Sequence, residues 1–396
     1  MSEDRLRELL RDAALPEERE AEERGLRIVA AAFRERRVEP RPRPRARLRL
    51  ALVLTSALAL LALILSPAGA AVRDWIGDVF EPGVEHAEPA LTRLPGGGEL
   101  LVQSPQGPWL VHGDGSRRLL GDYGEATWSP HGLFVAVTAG RTLSAVEPGG
   151  DVRWSLSRDA VLSDPRWAPS GFRIAYRAGR AVRVVAGDGS GDDLLYRRAA
   201  AVVPAWRPGP GNALTLARTP FDVRVTDVDS GRQLGAYRAP HRVEDLQWSG
   251  DGRRLLVASG RSVTVLDRDL SPVARWDAPA KGLIGAAALA PDRSEFATVV
   301  RRPAPFGPPR SEVLVTREGG RTRSIFAAPG TFTDIAWSPD GRRLLVAWRE
   351  ADQWLFIPVR HRSRVIAVDG ISGQFSPGAE RAAFPRVEAD GWCCAR

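Results

Sequence analysis

The stretch Trp337-Ser338-Pro339-Asp340-Gly341 joins an aromatic residue to a proline and a tight-turn dipeptide. Proline ends a strand because it has no N–H to donate to the ladder, and Asp-Gly favours a turn. Variants of this unit recur along the chain. Their first residues, called anchors below, are Trp128, Trp167, Trp206, Trp248, Leu289, Trp337 and Phe375. Successive anchors are 39, 39, 42, 41, 48 and 38 positions apart.

Short runs of β-forming residues follow the anchors, as at residues 255–258 and 262–266. Four short antiparallel strands in every 38–48 residues are typical of a β-propeller blade. One blade cannot bury both of its faces, so blades pack around an axis and the anchor aromatic is expected to fill the space between sheets. Seven anchors predict an all-β fold with a seven-bladed propeller. Six or eight blades stay open, because the first unit lacks a Trp-Ser-Pro anchor.

Closing the ring requires the two ends of the propeller sequence to share a blade. The candidate C-terminal strands are residues 373–375 and 381–384. We expect them to pair with strands that follow Pro95, namely residues 99–102, 109–112 and 117–120.

The repeats resemble the WD40-like repeats of TolB-type propellers, whose hallmark is a Trp-Ser-Pro-Asp-Gly turn. Residues 337–341 match this turn fully, and residues 248–252 match it except that Gly250 replaces proline. The resemblance covers residues 89–392 and implies the propeller fold. The chain departs from eukaryotic WD repeats, because no Gly-His and Trp-Asp pairs close its units.

The composition limits the class of protein. The chain has 396 residues, 43% hydrophobic and 26% charged, so it is neither disordered nor a many-pass membrane protein. Its 39 glycines and 31 prolines favour short strands and turns over long helices. Lys281 is the only lysine, so the net charge of +8 reflects an arginine-rich composition, and no nucleic-acid partner is predicted.

The chain contains two cysteines, Cys393 and Cys394, which are adjacent. This spacing excludes a disulfide framework and a zinc site with four cysteine or histidine ligands. We expect two free thiols. A vicinal or an intermolecular disulfide is the alternative.

Residues 50–72 contain no charged side chain. A helix of this length spans about 34 Å, which exceeds the hydrocarbon core of about 30 Å. Seven arginines lie between Arg36 and Arg49, so the positive-inside rule places the N-terminus in the cytoplasm. We expect a single-pass protein of the cell membrane with an extracytoplasmic propeller. A cleaved signal peptide and a buried core helix are the alternatives, but the charged lead is longer than a signal peptide needs.

The segments on either side of this span are expected to be helical. Residues 1–49 are predicted to form a helical tail and a basic Pro/Arg spacer, and residues 73–88 a juxtamembrane amphipathic helix and linker. Leu26, Val29 and Phe33 make an apolar stripe on the second tail helix. The tail is either solvated or folds onto a cytoplasmic protein, because it is too small to bury a core alone.

The 48-residue unit contains a proline-rich cationic loop between its second and third strands. Its candidate partner residues are Arg301, Arg302, Phe306 and Arg310. Strands in a blade alternate in direction, so this loop is expected at the end of the ring opposite the Pro-Asp-Gly turns. A tolerated surface insertion is the alternative.

Catalysis finds little support in the sequence. The five histidines show no metal-binding spacing, and no Gly-x-Ser-x-Gly motif occurs. Residues 188–193 lack the twelve-residue ligand order of a calcium loop, so a hairpin turn is predicted there. Residues 147–154 and 228–231 slightly resemble quinoprotein blades, but no quinone is predicted. We predict no catalytic residue, metal or cofactor.

The favoured function is a non-catalytic binding module for a protein, peptide or envelope polysaccharide on one face of the propeller. The first alternative is transmembrane signalling, because the layout resembles membrane-bound anti-sigma factors, although the tail lacks their zinc motif. The second is a quinoprotein- or lyase-type enzyme. An enzyme predicts converging acids or histidines at the channel mouth, whereas a binding module predicts an apolar or aromatic patch there.

Overall fold

The computed structural model describes residues 88–291, 295–304, 307–317, 321–360, 364–377 and 384–393. The predicted tail, membrane span and juxtamembrane helix (residues 1–87) lie outside them. Within the described part of the chain, no helix is both long and apolar enough to cross a membrane.

The described residues form seven four-stranded antiparallel sheets. The first contains β1 (Glu99–Ser104), β2 (Gly107–Val111) and β3 (Arg117–Leu119). The second contains β4 (Ala126–Trp128), β5 (Val135–Ala139), β6 (Thr142–Val146) and β7 (Val152–Ser157). The third contains β8 (Leu162–Trp167), β9 (Arg173–Ala178), β10 (Ala181–Ala186) and β11 (Asp193–Tyr196). The fourth contains β12 (Ala205–Trp206), β13 (Ala213–Thr219), β14 (Asp222–Asp227) and β15 (Gln233–Arg238).

The remaining sheets follow the same order. The fifth contains β16 (Asp245–Trp248), β17 (Leu255–Ala258), β18 (Ser262–Leu266) and β19 (Pro272–Asp277). The sixth contains β20 (Leu283–Leu289), β21 (Glu295–Arg302), β22 (Arg310–Arg317) and β23 (Thr322–Pro329). The seventh contains β24 (Phe332–Trp337), β25 (Arg343–Trp348), β26 (Gln353–Pro358) and β27 (Ile366–Val368). A short helix, α1 (Ile371–Gln374), and β28 (Arg386–Cys393) follow, and β28 completes the first sheet. The seven-bladed all-β prediction is confirmed.

Each blade has two ends that differ in their connections. The first and second strands are joined by the Pro-x-Gly type turns, as between Trp337 and Leu344, and we call this the turn end. The turns between second and third strands and the crossovers to the next blade lie at the opposite end, called the crossover end. The long loop of the sixth blade joins Arg302 to Arg310 and lies at the crossover end, as predicted.

Six of the seven anchors end the innermost strand of a blade, as predicted. Five of these six anchors are tryptophans, and the indole Nε1 atoms of three of them, Trp206, Trp248 and Trp337, donate to the preceding blade. Trp337 Nε1 donates to the Ala288 carbonyl at 3.0 Å. Trp206 Nε1 donates to the carbonyl of Arg166 at 2.8 Å. The anchors therefore connect adjacent blades.

The seventh anchor, Phe375, does not end a strand. It follows α1, so the prediction that residues 373–375 form a closing strand is wrong. The chain turns there because the Asp352 carboxylate accepts the Ser372 amide at 2.8 Å and stabilises a helical turn. Phe375 is fully buried and packs on the Trp354 ring, with centroids 5.1 Å apart.

The ring closes through β28, which pairs with β1 as the inner strand of the first blade. Trp392 takes the anchor position, and its Nε1 donates to the Gly97 carbonyl at 2.8 Å. The predicted closing strand at residues 381–384 stays a prediction. Its first three residues lie outside the described part of the chain, and Phe384 precedes β28. The predicted partner strands of the first blade are confirmed.

The described part of the chain begins at the crossover end of the seventh blade. Glu88 forms a parallel bridge with Val368, and its amide donates to the Ala367 carbonyl at 2.8 Å. Leu91 and Leu94 are buried between the seventh and first blades. This segment therefore adds a second link across the closure.

A buried ionic cluster joins the second and third blades. The Asp192 carboxylate accepts from Tyr176 Oη at 2.7 Å and from the Nε atoms of Arg183 and Arg158, both at 2.8 Å. Burial raises the pKa of Tyr176 to about 12, and its bond to Asp192 adds to the effect. Residues 188–193 thus form the predicted hairpin turn, with Asp192 bound to arginines.

Cys393 ends β28 and is disulfide-bonded. The expectation of a free thiol at this position is therefore wrong.

Candidate functional site

A cavity of about 680 Å³ lies on the axis of the ring. It is lined by the innermost strands of all seven blades, including Arg166, Asp245, Asp334 and Arg386. Inner strands meet there because each blade turns its first strand toward the axis. Concave sites where several elements meet are where ligands bind, so the polar groups of this cavity are the first candidates for function.

Four acidic residues occupy equivalent positions beside this channel. Glu125, Asp164, Asp245 and Asp334 each lie three residues before the tryptophan that ends an inner strand. Asp245 and Asp334 line the cavity, whereas Glu125 and Asp164 are not among its lining residues. We call them the channel acids.

Glu125 and Asp164 are tied together across two blades. The Glu125 carboxylate accepts the backbone amide of Asp164, whose φ of 52° is unusual for a residue other than glycine. Burial raises the pKa of Glu125, and the amide bond from Asp164 opposes this. The Asp164 carboxylate lies 3.4 Å from Nε of Arg177, a buried arginine that also donates to the Ala200 carbonyl at 2.6 Å. The carboxylates of Glu125 and Asp164 therefore already have partners within the protein.

Burial perturbs the carboxyl group of Asp334, another of the channel acids, strongly. Burial raises its pKa to about 6, against the opposing effects of the Val387 amide and of Arg386 and Arg349. The Val387 amide donates to Asp334 Oδ2 at 3.2 Å. A carboxyl group with this pKa can exchange a proton near neutral pH.

Asp334 makes the stability of the fold depend on pH. Its folded pKa of about 6 exceeds the ordinary 3.8, so the folded state binds this proton more tightly. The free energy of unfolding therefore falls as pH rises from about 4 to about 6, by up to about 3 kcal/mol. We expect Asp334→Asn to raise Tm at about pH 7.5 and to leave it unchanged at about pH 3.5. Thermal unfolding at both pH values tests this, with the exposed Asp122→Asn as control.

An unchanged or lower Tm for Asp334→Asn at about pH 7.5 would contradict this expectation, because it would show that the ionised carboxylate does not destabilise the fold.

The predicted partner residues of the long loop lie at the crossover end of the sixth blade. Arg301 and Arg302 are exposed, and Arg302 Nη2 lies 3.0 Å from Glu312 Oε2. A groove of about 390 Å³ lies beside Arg302 and Arg310 and extends along the outer strand β23. Phe306 lies outside the described residues, as do Leu26, Val29 and Phe33.

The channel acids were not predicted from the sequence. A signal for them exists, because an acid precedes four of the tryptophan anchors by the same three positions. The buried Arg177 left no comparable signal, since nothing repeats at its position. In the parts of the chain that are described, no three His, Cys, Asp or Glu side chains could hold a metal ion.

Comparisons with known proteins identify the fold. No family model and no curated protein sequence matches this chain. Kluyveromyces lactis Hsv2 is 13% identical, with a TM-score of 0.52 over 69% of this chain and 94% of that one. A chain of a mitotic checkpoint complex is 16% identical, with a TM-score of 0.52 over 71% and 93%. The WD40 domain of Neurospora crassa Pan2 is 13% identical, with a TM-score of 0.47 over 62% and 78%.

At these identities the likeness concerns the fold alone. The chain has a WD40-type propeller fold, and the seven blades are evident in its own sheets.

Proposed function

We propose that this protein is a membrane-anchored interaction module whose extracytoplasmic propeller binds a protein partner. The observation that carries the proposal is the cationic loop of the sixth blade, which presents Arg301 and Arg302 beside an open groove. A rigid ring of seven sheets holds this loop in place. One similar propeller comes from a mitotic checkpoint complex, which favours protein partners over polysaccharides.

The anchor and the repeat type belong to the same proposal. Residues 50–72 form the single span, and the arginines before them keep the tail in the cytoplasm. The full Trp-Ser-Pro-Asp-Gly turn at residues 337–341 supports TolB-type repeats.

Topology is tested with tags at both termini. We expect protease added to spheroplasts to remove a C-terminal tag and to spare an N-terminal one. A C-terminal tag that is protected until the membrane is lysed contradicts the extracytoplasmic placement.

Partner binding is tested by cross-linked co-purification of the full chain from membranes. We expect Arg301→Gln with Arg302→Gln to lower the yield of the principal cross-linked protein about tenfold, because interface arginines often contribute more than 1 kcal/mol each. Arg342→Gln on the turn end is the matched control. An unchanged yield in the loop variant would exclude this loop as the contact.

Two further functions rest on specific features. The stripe Leu26, Val29 and Phe33 supports signalling through the tail, and failure of residues 1–38 to capture any cytoplasmic protein would end that idea.

The channel acids support a lyase-type enzyme, since converging acids are what an enzyme requires. Asp334 is its candidate proton-transfer group, and Asp334→Asn must then abolish any turnover found.

A further inference from the structure

Exposed charges are distributed unequally between the two ends of the propeller. The crossover end of blades three to five carries exposed Arg180, Arg197, Arg198, Arg242, Arg261 and Lys281. The turn end differs, because its exposed arginines have nearby acids. Arg253 Nε lies 3.9 Å from Asp251 Oδ2, and Asp340 lies two residues before Arg342.

Few acids offset the cations on the crossover end of these blades. Asp277 is bound by Arg275, whose Nε donates to its Oδ1 at 3.0 Å, and Asp159 pairs with Arg141 at 3.0 Å. Glu244 is an exposed acid there. The net charge of this surface is therefore positive, although the charges are well mixed along the sequence.

Apolar side chains are exposed among these cations. Val161 is 65% exposed and Phe221 43%, and both lie on turns or crossovers of this end. Leu283, the first residue of β20, is 44% exposed, and the turn end also exposes Phe172, so net charge is what distinguishes the two ends. Lys281 and Leu283 belong to one crossover turn, closed by the Gly282 amide donating to the Pro279 carbonyl at 2.8 Å. Arginine and lysine interspersed with exposed Phe and Leu are typical of surfaces that rest on a bilayer.

The described part of the chain begins at the crossover end, where Glu88 is held by its bridge to Val368. Residues 73–87 separate Glu88 from the predicted span, which ends at residue 72.

We propose that the crossover end of blades three and four lies on an anionic phospholipid bilayer. Arg180, Arg197, Arg198 and Arg242 contact headgroup phosphates, and Phe221 enters the interface. The orientation rests on the anchored topology proposed above. It leaves the groove beside β23 and the turn end open to a protein partner.

The test uses the full chain in nanodiscs of phosphatidylcholine, with or without phosphatidylglycerol. An environment-sensitive dye is attached at Phe221→Cys on the crossover end, or at Phe172→Cys on the turn end as the matched site. The unsubstituted chain is labelled in parallel to subtract dye on native cysteines. We expect a headgroup-linked quencher to quench the dye at position 221 in phosphatidylglycerol discs, and not the dye at position 172.

Charge dependence sharpens the test. We expect Arg197→Gln with Arg198→Gln to lower the ratio of docked to undocked propeller about 30-fold, equivalent to about 1 kcal/mol for each cation. Arg253→Gln with Arg342→Gln, on the turn end, should change nothing. Quenching should also be lost at about 1 M salt, where the Debye length is about 3 Å.

The outcomes separate this proposal from the proposed function. Equal quenching at both positions, or none in phosphatidylglycerol discs, overturns lipid docking and leaves the anchor and the partner intact. A second outcome also overturns lipid docking: the dye at position 221 is not quenched, and the Arg197/Arg198 variant no longer yields the cross-linked protein. This surface would then bind an acidic protein. A chain that alkaline carbonate strips from neutral discs would contradict the anchor instead.

Discussion

A chain that ends at Phe384 is expected to lose cooperative unfolding altogether. This truncation removes β28, the inner strand of the first blade, together with the buried side chains of Val387 and Trp392. It leaves β1 as an unpaired edge facing the channel, and the seventh and first blades lose their shared core. An open ring exposes apolar faces that a single blade cannot cover.

Chemical denaturation of the detergent-solubilised full chain, followed by circular dichroism, measures this effect. A chain lacking only its last two residues is the control and should unfold like the parent. Trp392→Ala is the milder variant, and we expect it to lower the free energy of unfolding by about 3–5 kcal/mol. A cooperative transition in the truncated chain would contradict this expectation, because it would show that the first blade stays folded with three strands.

Asp192→Ala is expected to lower the free energy of unfolding by about 3 kcal/mol. The Asp192 side chain is 6% exposed and is the shared acceptor of Tyr176, Arg158 and Arg183. Its removal leaves two arginines without their carboxylate and breaks this ionic contact between the second and third blades. Partial exposure of both arginines keeps the loss below that of a fully buried network.

The neighbouring Asp193→Ala is the matched control, because its side chain is exposed and its effect should stay within about 0.5 kcal/mol. Burial raises the pKa of Asp192, but hydrogen bonds from Arg183, Tyr176 and Arg158 outweigh it and hold that pKa below its usual value. Asp192 therefore stops contributing to the free energy of unfolding as pH falls through its lowered pKa. In acid, Asp192→Ala and Asp193→Ala should have similar free energies of unfolding. Equal unfolding free energies at neutral pH would contradict the role of the cluster.

The blade count was predictable although one anchor was misassigned. Seven anchors predicted seven blades, yet Phe375 is not one of the inner-strand ends and Trp392 is. Trp392 was not predicted to be an anchor, because Cys393 and Cys394 follow it instead of a small residue and proline. The turn after an inner strand requires particular residues in a row and can therefore be recognised in the sequence. The strand that closes the ring is not followed by such a turn.

The candidate site was predictable only in part. The loop with Arg301 and Arg302 could be placed from strand alternation, and the structure has it at the crossover end. The pairing of Asp164 with Arg177 could not be predicted, because it depends on a left-handed backbone at Asp164. Predictions for the tail and the membrane span remain predictions.

The sequence by itself determined the repeated unit, its turns and hence a ring of sheets, because turn chemistry acts within five residues and recurs about every forty. Only the tertiary structure decided which strand closes the ring, which acids meet beside the channel, and that exposed cations collect at one end. Those features join residues far apart in the chain, as Asp192 joins Arg158 across 34 positions. The order of residues along the chain does not show these contacts, because they form only when the blades pack around their axis.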